Sequence, residues 1–333
     1  MVSFIVLVGC LLAPLRALAL FDECKDLFPN QRIPIVTLVG RDLCFDSFAV
    51  YYSPHDKKPV YVVEKLNRDQ LLAPHPRRSN QFYEEARLPL SERALLSDYR
   101  GSGYDRGHNA PAGDMSNERA MAQSFSLANM MPQARQNNQG IWAKNVEEPT
   151  RHYAKRATGD IYVFTGSIGN QGSIGRGRVT IPSHLYKLVY DPSKNSAWAY
   201  WIENTNDALM TPPISYAELM NKTGIDFQLP MQTDLDSKKH GQNISPVGGW
   251  YPVFFDMYSP EKVNAILNSI RSGKVASVQI QYDQNNELAQ RIAAELRAQT
   301  QIPIELNQSN APNTPGVTYE RQRVTLMIRP KGN

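Results

Sequence analysis

Three segments between residues 101 and 157 constrain the fold of this chain more than its composition does. The first, "GSGYDRGHNAPAGDM" (101–115), sets one of only six histidines directly after Asp-Arg-Gly. It reads as a short strand ending near His108, with Gly107 letting the backbone turn tightly before the ring. The second, "AMAQSFSLANMMPQ" (120–133), carries an expected strand around Ser124 to Met130. The third, "NNQGIWAKNVEEPTRHYAKRA", opens on polar residues and places Ile141, Trp142 and Val146 at near-helical spacing. The order is strand, strand, helix. An imidazole ends the first strand and an amide oxygen, that of Asn138, opens the helix.

Around this unit the chain reads as α+β. "LCFDSFAVYYS" and "KPVYVVEKLN" flank Pro54-His55-Asp56-Lys57 and suggest a β-hairpin. Residues 67–100 are charged and broken by Pro74, Pro76 and Pro89, so loop with short helices is expected. "DIYVFTGSI" reads as a buried strand. "VTIPSHLYKLVYD" and "SAWAYWIEN" read as an antiparallel pair, and "ISYAELMNKTGIDF" as a helix with a closing turn. Near residues 230–248 the chain becomes polar and Gly/Pro-bearing, as linkers are. Beyond it, strand, helix, strand, helix and two strands follow in about a hundred residues, a small α+β module with no cluster of His or acidic residues. The expected organisation is a domain over 20–235 and a C-terminal module over 249–330 whose role and partner the sequence leaves open. A net charge of +4 permits an anionic partner without demanding one. Homodimerisation is left open in the same way.

Residues 1–19 resemble an export signal: a short apolar run, too short for a membrane span, then the small-x-small pattern Ala17-Leu18-Ala19. No Lys or Arg precedes the run, so a buried N-terminal element is the alternative. "LVGC" (7–10) also resembles a lipoprotein box, ranked below simple cleavage. Cleavage leaves Cys24 and Cys44, an even pair in an oxidising periplasmic or extracellular setting. A disulfide is the first reading. Two buried free thiols and half a metal site are the alternatives, the last weakened by the lack of CxxC or HxxxH.

Phosphodiester hydrolysis needs a base for water near neutral pH and positive charge for the phosphate. A histidine suits the first task, and an arginine with a divalent metal suits the second. "DRGHNAPAGDM", "SLANMMPQ", "NNQGIWAKNVE", "YVFTG" and "VTIPSHLYKLVYD" occur in the order and spacing of the sugar-non-specific DNA/RNA endonucleases. The chain resembles this endonuclease G-like branch of the ββα-metal, or His-Me finger, superfamily over roughly residues 40–230. The resemblance implies a ββα-metal core on a mixed, mainly antiparallel sheet. It also implies cleavage of DNA and RNA with little sequence preference, leaving 5′-phosphate ends, and a Mg²⁺ cofactor with Mn²⁺ as the alternative. Carried over by position, His108 matches the general base and Asn138 the single metal ligand. Arg106 matches the phosphate arginine and Asn129 a supporting asparagine. Glu147 matches the carboxylate that holds metal-bound waters, with Glu148 as the alternative, and Arg151 an arginine near the leaving group. Arg77 or Arg78 is a looser match for a further phosphate contact.

Two departures from the family pattern carry expectations. Nine residues separate Asn138 from Glu147, about two and a half turns of α-helix, which sets them on opposite faces. A π-bulge or break between Trp142 and Pro149 restores one face. Secondly, "TGSIGNQGSIGRGR" replaces the family's T-G-P and suggests a flexible loop whose Arg176 and Arg178 touch nucleic acid or are merely solvated. Trp142, Trp198 and Trp201 are expected in the core. Ser183 and His184 are rejected as a nucleophile pair, because adjacent strand residues face opposite ways. The rival to a hydrolase is a nucleic-acid-binding or DNA-uptake and transfer component that uses a nuclease-like domain.

Overall fold

The structure is a computed structural model that describes residues 20–211, 213–231, 251–255, 257–308 and 324–331. The N-terminal segment read as a signal and the expected linker therefore lie outside the described residues, apart from Pro230 and Met231.

The chain begins with strands β1 (Arg41–Cys44), β2 (Phe48–Ser53) and β3 (Lys58–Leu66). Short helices α1 (Arg68–Leu72) and α2 (Leu96–Tyr99) lead to β4 (Tyr104–His108), then α3 (Glu118–Ser124) and β5 (Met130–Ala134). A π-helix, Asn137–Glu147, runs directly into α4 (Glu148–Arg156). Strand β6 (Ile161–Ile168) follows, then the small hairpin β7 (Ser173–Ile174) and β8 (Val179–Thr180). Strands β9 (His184–Asp191), β10 (Ser196–Glu203) and β11 (Ile214–Ser215) lead to α5 (Tyr216–Thr223). The C-terminal part holds β12 (Tyr251–Phe255), α6 (Pro260–Arg271), β13 (Val275–Tyr282), α7 (Asn286–Gln299), β14 (Ile304–Gln308) and β15 (Val324–Pro330).

A seven-stranded sheet in the order β1-β2-β3-β6-β9-β10-β11 is the frame, antiparallel at every step. Side chains alternate across it. One face sends Tyr61, Val63, Phe164 and Leu188 into a cluster with Phe21, Phe28 and Phe227. The other sends Val163, Val189 and Trp198 against Trp142, Val146 and Tyr153, which fixes the π-helix and α4 on the sheet. Strands β4 and β5 form a separate two-stranded ribbon, with His108 opposite Met130.

The second strand of this ribbon starts later than the sequence suggested. Residues 124–129 are the end of α3 and a 3-10 turn. The Asn117 side chain accepts from the Ala120 amide at 2.8 Å and starts that helix, which buries Ala120 and Met121. The hydrophobicity that suggested a strand there comes from Phe125, Leu127 and Ala128, buried at the helix end and in the 3-10 turn. The expected hairpin is present as β2 and β3, and β1 is an added edge strand that the sequence reading missed.

The C-terminal sheet runs β12-β15-β13-β14, parallel only between β13 and β14. Val263, Ile266 and Leu267 of α6 and Leu288, Ile292 and Leu296 of α7 belong to its core. A cleft of about 80 Å³ is lined jointly by Asn145, Pro149, Val253, Ile266 and Ile328, so this part abuts the π-helix and α4. Among the described residues no helix is long and apolar enough to cross a membrane.

Cys24 and Cys44 form a disulfide, with Cα atoms 5.7 Å apart, tying the N-terminal segment to β1. The bridge spans a sequence separation of 20, for which chain-entropy reasoning gives about 3 kcal/mol. Replacing both cysteines by serine lowers the unfolding free energy by about that amount, read from urea denaturation at equilibrium.

Candidate active site

The π-helix solves the spacing problem. In it each turn is wider than in an α-helix, so the nine residues from Asn138 to Glu147 span about two turns. Asn138, Ala143, Glu147 and Arg151 all line one cavity, while Trp142 and Val146 are fully buried in the core. The cavity has a volume of about 530 Å³ and also takes in Arg78, Phe82, Asp105, Arg106 and His108. His108 and Asn138 thus face the same space.

Local hydrogen bonds position these groups. Asn138 Nδ2 donates to Asp105 Oδ2 at 3.0 Å, and Gln139 Nε2 donates to the same oxygen at 2.8 Å. Arg135 Nε lies 3.2 Å from Asp105 Oδ1. With its nitrogen committed to Asp105, the Asn138 amide keeps its oxygen as the free acceptor, the correct end for a hard cation. Gln133 Nε2 donates to Asn137 Oδ1 at 2.9 Å, and Asn137 Nδ2 to the Glu203 carbonyl at 2.7 Å. These bonds fasten the start of the π-helix to β5 and β10.

Gly107 serves close approach rather than a tight turn. A Cβ there lies 2.1 Å from Gln133 Oε1, so only glycine lets the two strands meet. Asn129 does not line the cavity. It is fully buried; its Oδ1 accepts from the Ala110 amide and its Nδ2 donates to the Ala110 and Ser124 carbonyls. It positions the segment that leaves His108.

The His108 ring packs edge-on to Phe125, centroids 5.1 Å apart, and near Phe82 at 5.8 Å. Its Nε2 is buried and has no hydrogen-bond partner. Burial pushes its pKa down to about 3, with the Arg78 charge adding to the effect. The imidazole is therefore neutral at physiological pH, with a lone pair available. Arg106 is held by rings: its guanidinium lies 4.7 Å from the Phe82 centroid and 5.8 Å from that of Tyr99. Arg78 lies 5.1 Å from the Phe125 centroid. Of the two looser candidates, Arg78 reaches the cavity and Arg77 does not line it; nor does Arg176.

Sequence reading missed the groups beneath the cavity. Arg151 Nε is bonded to Asp114, a nearly buried carboxylate that holds the guanidinium charged. Gly113 lies against the same guanidinium, where a Cβ meets Nη2 at 2.9 Å. On the sheet below, Lys187 Nζ donates to Thr165 Oγ1 at 2.6 Å, and register places Glu64, Thr165 and Lys187 on one face. Glu64 is fully buried and neither of its oxygens has a partner. Burial, with Asp114 adding, pushes its pKa well above the usual carboxylate range. Burial also raises that of Glu147, and Lys187 and Arg151 oppose the rise. Asp105 and Gln133 stand inside the quoted motifs, so their presence was visible and their partners were not. Glu64 and Lys187 carried a signal only as charges inside otherwise apolar strands.

Two smaller expectations change. Ser183 precedes β9 rather than lying in it, so its hydroxyl reaches His184 Nδ1 at 3.0 Å. It also reaches the Ile168 carbonyl at 3.2 Å, and His184 stacks on Trp201 outside the cavity, a structural arrangement. The glycine-rich segment after β6 is an ordered hairpin, not a flexible loop.

The fold and this arrangement define a class. Residues 33–234, more than half of the chain, match the DNA/RNA non-specific endonuclease family, and the chain belongs to it. It is 33% identical over 187 residues to the mitochondrial nuclease EXOG of Xenopus laevis, covering 52% of this chain and 51% of that protein. It is 35% identical over 170 residues to nuclease C1 of Cunninghamella echinulata var. echinulata, covering 46% of this chain and 67% of that protein. Human mitochondrial endonuclease G is 32% identical over 157 residues, covering 43% and 52% respectively. The chain thus spans about half the length of the EXOG and endonuclease G relatives. In fold it is similar to a chain in the crystal structure of the EndoG/EndoGI complex, with a TM-score of 0.53, 24% identity, and coverage of 57% of this chain and 87% of that one.

The unpartnered, buried imidazole has a direct readout. In an NMR pH titration His108 shows no protonation step near the ordinary histidine value of 6.5. Arg78→Met removes a cation that disfavours the charged ring, so the His108 pKa rises toward that value.

Proposed function

We propose that this chain is a divalent-metal-dependent endonuclease that hydrolyses phosphodiester bonds in DNA and RNA, leaving 5′-phosphate ends. The observation that carries the reading is the meeting, in one cavity, of a neutral His108 imidazole and an Asn138 amide whose oxygen is left free by Asp105.

The donor set fits a single hard cation. One amide oxygen is enough for Mg²⁺ when water and a phosphate oxygen complete its shell. Asn138 would hold the cation, with Glu147 positioned for its waters. When bound, the cation, Mg²⁺ or Mn²⁺, supplies charge neutralisation at the phosphate and at the departing oxygen.

The chain's own residues do the rest. The His108 imidazole accepts a proton from the attacking water as the new O–P bond forms and the P–O3′ bond breaks. Burial is the main cause of the depressed imidazole, and a phosphate entering beside Arg78 offsets the charge that adds to it, which raises the basicity of the ring. Arg106 and Arg151, each already fixed by rings or by Asp114, place positive charge around the phosphorus without reorganising. Such a site grips backbone, which carries no sequence information, so little base preference is expected.

The Cys24–Cys44 bridge and the apolar N-terminal segment support an exported protein, periplasmic or secreted. A binding protein with a nuclease-like domain is the rival reading, and the completeness of the His108 and Asn138 pair speaks against it.

In a plasmid-nicking assay, chelation by EDTA abolishes cleavage. His108→Ala lowers the rate by about 10²–10⁴-fold, with DNA binding and melting temperature preserved. Near-normal cleavage by a pure His108→Ala protein overturns the mechanism. Asp105→Ala releases the Asn138 amide and weakens half-saturation by Mg²⁺ about 10–100-fold, measured both by activity and by the thermal upshift that the ion produces.

A further inference from the structure

The hairpin β7–β8 carries four glycines over residues 169–177, yet it is pinned at several points. Ile174 and Val179 are buried in one cluster with Tyr99, Leu127 and Met130. The Gly177 amide donates to Asp98 Oδ1 at 2.7 Å, and the Leu95 amide donates to Asp98 Oδ2 at 2.9 Å. Gly175 stands at φ +64, and a Cβ there lies 2.3 Å from Asp98 Cα. Thr180 is tied at its amide to the Asp56 carbonyl and at its hydroxyl to Asp56 Oδ1, both at 3.0 Å.

This anchoring presents arginines. Arg176 and Arg178 are exposed at the turn, and Arg178 is held at φ +56, a left-handed conformation that a side-chain-bearing residue seldom adopts. Arg100, also exposed, follows Asp98 and Tyr99. Among the described residues none of the three has a carboxylate partner. Arg41, Arg87, Arg119 and Arg135, by contrast, are each paired. The nearly buried Asp98 has both oxygens occupied by amides. Its neighbour Tyr99 stands 5.8 Å from the guanidinium of Arg106, which lines the catalytic cavity. The three free cations are therefore attached to the same Asp98–Tyr99 step, on the flank where Arg106 enters the cavity.

We propose that Arg100, Arg176 and Arg178 form a phosphate-binding rim that holds the nucleic-acid backbone flanking the scissile phosphate. The proposal rests on the nuclease reading for its substrate. Unpaired guanidinium groups match phosphate oxygens in a fork geometry, and a turn already ordered by Asp98 loses little entropy on binding. The glycines at 175 and 177 let the backbone sit on Asp98 and so present Arg176 and Arg178 outward.

The test uses the full chain carrying R100A, R176A and R178A together, compared with the parent protein. The substrates are a 30-nucleotide DNA and a small p-nitrophenyl ester of a mononucleotide, which is too short to reach the rim. The expected result is a KM increase at least tenfold greater on the 30-mer than on the ester. Binding of a fluorescent 30-mer, read by anisotropy, becomes less salt-dependent, its log–log slope falling by about two units for three lost phosphate contacts. Equal KM changes on both substrates, or an unchanged salt slope, overturn the rim. If the parent protein cleaves neither substrate, the nuclease reading fails, and the anisotropy comparison still decides whether the rim binds backbone.

Discussion

The Asp105 carboxylate joins the two halves of the site. It receives Asn138 and Gln139 from the π-helix and Arg135 from the turn that precedes it, while its own strand ends in His108. The proposed base and cation ligand, on separate elements, can act together only if their separation is fixed. A charged acceptor taking two amide donors fixes it more firmly than neutral pairs would. Gly107, by letting Gln133 approach, and Gln133, by holding Asn137, secure the same junction from the other strand.

Beneath this junction the sheet supplies an unusual floor. Glu64 and Lys187 are charged residue types placed where neighbouring positions are apolar. Lys187 opposes the protonation of Glu147. Glu64, buried without hydrogen-bond partners and facing the influence of Asp114, favours its neutral form. Such a cluster does not by itself stabilise a fold, and its place under the cavity gives it an electrostatic role there.

Much of the site was legible because its chemistry sits in short contiguous motifs. DRGH placed His108 and Arg106, and NNQG placed Asn138. The count of nine residues to Glu147 predicted an irregular helix, and a π-helix is present. What could not be read depends on contacts between distant segments. The 3-10 turn before β5 is tied to the distant Tyr83 carbonyl through the Leu127 amide, and hydrophobicity alone does not distinguish such a buried turn from a strand. Arg78 rather than Arg77 faces the cavity because of local loop geometry. The glycine-rich hairpin looked mobile because its anchor, Asp98, lies some eighty residues earlier.

The π-helix also shows how this architecture tolerates changes in length. Eight residues on a regular α-helix span about 2.2 turns, and nine on a wider coil span about two. Nine on a regular α-helix end half a turn away, whereas the wider coil returns Glu147 to the side of Asn138. Whether Asn138 and Glu147 share a cavity is a property of angular phase rather than of residue count.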